Sequence, residues 1–166
     1  MPLGHCIRRW QRGHLQTSEH WQKGGCVLMY IPDGYGTVFP YIAVTNPDDF
    51  LQFVSAVFGA VELGRTVFPD GRVANVRVKI GSSNFMVSQS VEGVLENTQG
   101  AYYIYVEDVD NTFRQAVANN ATALFEPDDR PFMDRQAGIT DPFGNHWWIS
   151  TRLVEEPYDV DSAVSV

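Results

Sequence analysis

Hydrophobic and polar positions fall into order from residue 41 onward. "YIAVT" is a β-rich run, and "NPDDFLQFVSAVFGA" follows it with helical spacing. Asn46 stands where a cap is needed, Pro47 suits the first helical position, and Asp48 and Asp49 favour the positive helix end. Phe50, Leu51, Val54, Val57 and Phe58 form one apolar face, which Gly59 closes. Next come "VELGRTVF", the turn signal "PDG", then "VANVRVKIG" and "NFMVSQS". The pattern predicts a strand, a helix and three antiparallel strands.

After the polar connector "VEGVLENTQG" the same order begins again. "YIYV" at 103–106 echoes "YIAV" at 41–44, an offset of 62 positions. "EDVDNTFRQAVANNA" predicts the second helix, with Asp108 as cap and Val109, Phe113 and Val117 as its stripe. "TALFEP", "QAGIT" and "NHWWIST" supply the later strands. Echo at a fixed offset is the mark of an internal duplication, so a doubled βαβββ unit is expected.

Composition changes the picture at the two ends. Residues 1–28 hold four of the 12 Lys and Arg but only one of the 20 acids, Glu19, leaving 8 basic against 19 acidic side chains in the rest, a net of −11. Such a surface repels phosphate backbones, which argues against a nucleic-acid partner. Cys6, Cys26, His5, His14 and His20 all lie in that leading stretch, and their spacings match no zinc pattern. The stretch reads as a flexible or spurious extension. "EEPYDVDSAVSV" reads as an acidic, poorly packed tail. No apolar run approaches the length of a membrane span, and no signal-peptide pattern opens the chain, so a cytoplasmic location without membrane contact is expected. The expected organisation is therefore an extension at 1–28, one domain at 29–152 with modules near 37–89 and 101–152, and a tail at 153–166.

With its particular wording, the doubled unit resembles the vicinal oxygen chelate superfamily of glyoxalases, bleomycin resistance proteins and dioxygenases, and within it the PhnB-like branch. The matching stretches are "IPDGYGTVFPYIAV", "FGA", "FPDGRVANVRVKIG", "YVEDVDNTF" and "DRQAGITDPFGNHWW". In that branch "IPDGY" usually lies close to the initiator methionine, which makes Met29 the ancestral start. The resemblance implies an α+β fold: paired βαβββ modules forming a curled, cup-shaped mixed sheet with helices on the outer face. It also implies a homodimer. Metal-dependent members carry a His or Gln and two Glu and a His on the cup. The corresponding positions here are Phe39, Met86, Ala101 and Trp148, which offer no imidazole or carboxylate to a divalent ion. No metal and no cofactor are therefore expected.

Side chains alternate along a strand, so residues in phase with those positions are expected to face the cup. They are Phe39, Tyr41, Asn84, Met86, Ser88, Tyr103, Tyr105, His146 and Trp148, with Arg77 and Lys79 on the third strand either receiving an anionic group or forming a solvated rim. Residues of the other phase, Ile42, Val44, Val76, Val78, Ile80, Phe85, Val87, Ile104, Val106, Trp147 and Ile149, are expected to pack on the helices. Rings mixed with hydroxyls suit a flat aromatic small molecule, such as an antibiotic, although the same rings can instead collapse and fill the cup. His146 is the candidate general base or acid. It has no visible Ser-His-Asp order or paired carboxylate around it, and a polar residue at the strand mouth is the plainer reading. Two functions are open: metal-free sequestration of an aromatic compound, or a metal-independent lyase or isomerase using His146 with a tyrosine hydroxyl. Arg135 and Asp141 are expected to form a structural ion pair.

Overall fold

Asn46 starts the first helix because its side chain accepts from the Asp49 amide at 3.4 Å, and Gly59 ends it at φ 65°, with its amide turned back to the Val54 and Ser55 carbonyls. This computed structural model describes residues 30–31 and 35–158. By internal contacts the chain divides into two units, Met1–Tyr30 and Ile31–Val166, and every helix and strand named below belongs to the second. The extension expected at 1–28, with its histidines and cysteines, lies outside the described residues, as does the tail beyond Tyr158.

The first module runs β1 (Tyr41–Val44), α1 (Pro47–Phe58), β2 (Val61–Val67), β3 (Val73–Ile80) and β4 (Ser83–Gln89). The second repeats it as β5 (Ala101–Tyr105), α2 (Val109–Ala118), β6 (Thr122–Arg130), β7 (Asp134–Thr140) and β8 (His146–Arg152). Each module forms a four-stranded mixed sheet, in the orders β1-β4-β3-β2 and β5-β8-β7-β6. The first strand of each pairs parallel with the fourth, and the other pairs are antiparallel. Bulges in β2 and β6 interrupt the register, and such insertions bend a strand and curl the sheet.

One face of each sheet is buried with the helices. Ile42, Val44, Val76, Val78, Phe85 and Val87 from the first sheet and Ala137, Ile139, Trp147 and Ile149 from the second join Phe50 and Val54 of α1 and Val109 and Ala116 of α2 in a common core. Full burial of one such large side chain stabilises by roughly 1.5–3 kcal/mol. Ile80, Ile104 and Val106 are half-buried at its margin.

Two helix faces differ from expectation. In α1, Phe53 joins the buried stripe, and Phe58 is half-buried, meeting Phe53 edge-on at 6.2 Å. In α2 the buried positions are Val109, Thr112 and Ala116, spaced three and four apart, while Val117, one step beyond that stripe, is 45% exposed.

The expected Arg135–Asp141 pair is not formed. Arg135 points to the helix side and binds Asp110 of α2 at 2.5 Å and Asp129 of β6 at 2.8 Å. Asp141 sits six residues along, about 20 Å for extended chain, and organises the "DPFG" turn instead. Its carboxylate accepts from the Phe143 and Asn145 amides, from Asn145 Nδ2 and from Trp147 Nε1, all at 2.8–2.9 Å. Gly144, at φ 90°, completes the turn into β8.

Candidate functional site

Directly paired residues share a face, so strand register lays out the face turned away from the helices. In the second module four rows cross it: Ala101, His146, Thr140, Thr122; then Tyr103, Trp148, Gly138, Phe125; then Tyr105, Ser150, Gln136, Asp128; then Arg152, Asp134, Arg130. Trp147 falls between these rows. It is 4% exposed on the helix side, 4.7 Å from Phe58 and from Tyr102. Trp148 remains half-buried on the open face, with the His146 ring edge-on at 6.2 Å.

A polar network pins the rings of this face. The Tyr103 hydroxyl lies 3.1 Å from Asp134 Oδ2 and 2.9 Å from Ser150 Oγ, and accepts from Gln136 Nε2 at 2.9 Å. Asp134 is 0% exposed and also receives Ser150 Oγ at 3.0 Å, Tyr158 at 2.6 Å and Arg152 at 3.1 Å. Burial pushes its carboxyl up, but the hydrogen bonds from Tyr158, Arg152, Ser150 and Tyr103 outweigh burial and hold it below the ordinary range. Burial and the neighbouring Asp134 charge together raise the Tyr103 phenol. Ring filling is local: Phe125 lies over Gly138, where any Cβ would collide with it, and Arg130 stacks on Phe125 at 4.6 Å.

His146 is exposed, with Nδ1 3.0 Å from Thr140 Oγ1. No hydrogen bond among the described residues joins it to the Tyr103 or Tyr105 hydroxyl, since these are engaged with Asp134, Ser150 and Gln136, and with Tyr158.

The first module's open face carries the remaining predicted residues. Tyr41, Met86, Arg77 and Gly64 form one row, Asn84 and Lys79 pair in the next, and Ser88 pairs with Ala43. Ser88 is 2% exposed, the one residue of the predicted wall closed to solvent. Phe39 stacks on Tyr35 at 4.7 Å. A cleft of about 350 Å³ is lined by both modules, with Ile42, Asn84 and Phe85 on one side and Tyr102, Tyr103, Tyr105 and Trp147 on the other. It gathers Asn84, Tyr103 and Tyr105 of the predicted set.

The family's metal positions, Phe39, Met86, Ala101 and Trp148, do not fit a divalent ion: they present rings, a thioether and a methyl, and no oxygen or nitrogen donor replaces them at those points. Asp134, the buried carboxylate of this face, has its oxygens occupied by Tyr103, Ser150, Tyr158 and Arg152, and no group of three or more His, Cys, Asp or Glu side chains that could hold a metal ion occurs among the described residues.

Asp134, Gln136, Ser150, Arg152, Tyr158 and Phe125 lie outside the predicted wall. Ser150 and Arg152 are within reach of sequence reasoning, as they continue the phase of His146 and Trp148 along β8. Tyr158 is not, because only the return of the tail to the sheet reveals it; residues 153–158 are largely exposed, yet Tyr158 reaches Asp134 and Arg152.

Comparisons with known proteins agree with this architecture. A protein of Mycobacterium tuberculosis, described as uncharacterized, is 27% identical over 157 residues, covering 88% of this chain and 91% of its own. Among solved structures, TioX from Micromonospora sp. ML1 has 24% identity and a TM-score of 0.57, covering 74% of this chain and 100% of its own. A glyoxalase-related enzyme from Fulvimarina pelagi has 17% identity and a TM-score of 0.57, covering 78% and 98% respectively. The PhnB protein from Bacillus cereus, described as a putative 3-demethylubiquinone-9 3-methyltransferase, has 14% identity and a TM-score of 0.56, covering 70% and 99%. These similarities to solved structures speak for the fold alone. The Glyoxalase/Bleomycin resistance protein/Dioxygenase superfamily matches residues 36–149, and with its two βαβββ modules the chain belongs to that superfamily.

Proposed function

We propose that the protein is a PhnB-like, metal-free binder of a flat aromatic small molecule, which it holds against the open face of the second module. The observation that carries this reading is the directly paired row of Tyr103 and Trp148, with the Tyr103 hydroxyl fixed by three polar partners. Fixed rings lose little entropy on binding, and stacking contributes roughly 0.5–1.5 kcal/mol beyond buried area. Tyr105 and His146 extend the surface on either side, and Asn84 of the first module lines a cleft together with Tyr103 and Tyr105. The motifs between Ile31 and Thr151 support the PhnB-like placement and, through it, a homodimer.

The test is a panel of flat aromatic compounds, read by thermal shift and tryptophan fluorescence, against wild type, Trp148→Ala and His146→Ala. Trp148→Ala is expected to weaken binding about tenfold, and His146→Ala to leave it nearly unchanged. A bound compound that is converted by wild type and not by His146→Ala would replace this reading with the lyase or isomerase alternative.

A further inference from the structure

Residues 153–158 turn back from β8 onto the open face of the second module. Arg152 holds the returning backbone, donating from Nη2 to the Glu156 carbonyl at 3.0 Å and to the Pro157 carbonyl at 3.4 Å. The Tyr158 ring is thereby laid over the Arg152 guanidinium at 4.1 Å. Its hydroxyl donates to Asp134 Oδ2 at 2.6 Å and meets the Tyr105 hydroxyl. The chain thus places a phenol of its own at the end of a face otherwise lined by Tyr103, Trp148 and His146.

We propose that Asp134, Arg152 and Tyr105 form a binding site for the phenolic hydroxyl of an aromatic ligand, and that Tyr158 is the resident phenol which such a ligand displaces. The proposal rests on the aromatic-binding function above and narrows its ligand class to phenols. The chemistry of the three groups selects that class. An ionised, fully buried carboxylate accepts and cannot donate, so it takes a hydroxyl and rejects an anionic group. The guanidinium beside it disfavours a cation and favours the face of a ring. A neutral O–H on an aromatic ring satisfies both. Tyr158 is 44% exposed and Leu153 is 47% exposed, so lifting this segment forfeits little buried apolar surface. A site occupied by its own side chain binds an outside ligand more weakly in proportion to the fraction of time it stands open.

The experiment uses p-cresol, which is the tyrosine side chain without its backbone, and toluene, which lacks only the hydroxyl. Both are titrated into full-length wild type, Tyr158→Ala and the double variant Tyr158→Ala with Asp134→Asn, with folding checked by urea unfolding. Expected is a gain of about tenfold or more in p-cresol affinity for Tyr158→Ala over wild type, no such gain for toluene, and a loss of roughly tenfold or more on adding Asp134→Asn. Equal p-cresol affinity for wild type and Tyr158→Ala, or an equal gain for toluene, overturns the proposal. Should Tyr158→Ala lose cooperative unfolding, Tyr158→Ser is held to the same criteria. If p-cresol fails while Trp148-dependent binding of other flat aromatics persists, the phenol site falls alone. If both fail, the aromatic-binding function falls with it.

Discussion

In the first module the row through the middle of the open face reads Tyr41, Met86, Arg77, Gly64, whereas in the second it reads Tyr103, Trp148, Gly138, Phe125. Tyr41 and Tyr103, Met86 and Trp148, and Ser88 and Ser150 all keep the offset of 62. On the helix side the same offset matches buried Phe85 with buried Trp147. Backbone and core therefore persist between the copies, and divergence is concentrated on the open face. It is sharpest at the far end, where the first module pairs Val67 with Val73 and the second pairs Arg130 with Asp134. A buried carboxylate there demands donors, and Tyr103, Ser150, Arg152 and Tyr158 supply them. The copies teach that one scaffold can leave a plain face on one half and a pinned, ring-bearing face on the other.

The largest effect is expected where the copies agree. Trp147→Ala empties a core site whose indole N–H also satisfies Asp141, and should cost about 3–5 kcal/mol in chemical denaturation. A loss near zero would mean that Trp147 and Trp148 have exchanged faces, and the matching of the modules would fail with it.

Next comes the position where the copies differ most. Asp134→Asn removes charge-assisted bonds from a fully buried site and should cost roughly 1.5–3 kcal/mol at neutral pH. The folded carboxyl lies below its ordinary value of 3.8, so its contribution is present above that pH and is lost as pH falls through the lower folded value. Urea midpoints measured between neutral and strongly acid pH should show this loss in wild type and a shallower acid slope in Asp134→Asn. Identical slopes would show that Asp134 is not held ionised by its partners.

Gly138→Ala should cost about 1–3 kcal/mol, because the new methyl must push Phe125 off the sheet. The paired variant Gly138→Ala with Phe125→Ala should cost less than the sum of the two single changes. Strict additivity would place Phe125 elsewhere. His146→Ala, on the exposed mouth of β8, should change stability by no more than about 0.5 kcal/mol.

Local rules make the scaffold legible in the sequence. Asn46, Pro47 and Gly59 mark α1, Asp108 marks α2, and alternation along β8 separates Trp147 from Trp148 because only one phase packs on the helices. Where expectation and structure part, the cause is not local. Phe53 is buried in the core that both modules share, next to Phe58, whose own ring packs on Trp147 of β8, and Val117 is exposed because α2 presents a narrower stripe than its apolar residues suggest. Arg135 chooses between carboxylates by strand phase and helix position, which spacing to Asp141 does not encode. Of the site, the rings are readable from phase; the Asp134 network is not, because it joins β7 to β5, β8 and the returning tail.

If the second module's ring-bearing face holds the ligand, the equivalent face of the first module must contribute less. Titrating one bound aromatic compound into wild type, Trp148→Ala and Met86→Ala, with urea denaturation of each in parallel, measures that difference. Trp148→Ala should lose about tenfold in affinity with its unfolding midpoint nearly unchanged, and Met86→Ala about twofold or less. Unchanged affinity in Trp148→Ala, or an equal loss in both variants, would contradict a ligand held by the second module.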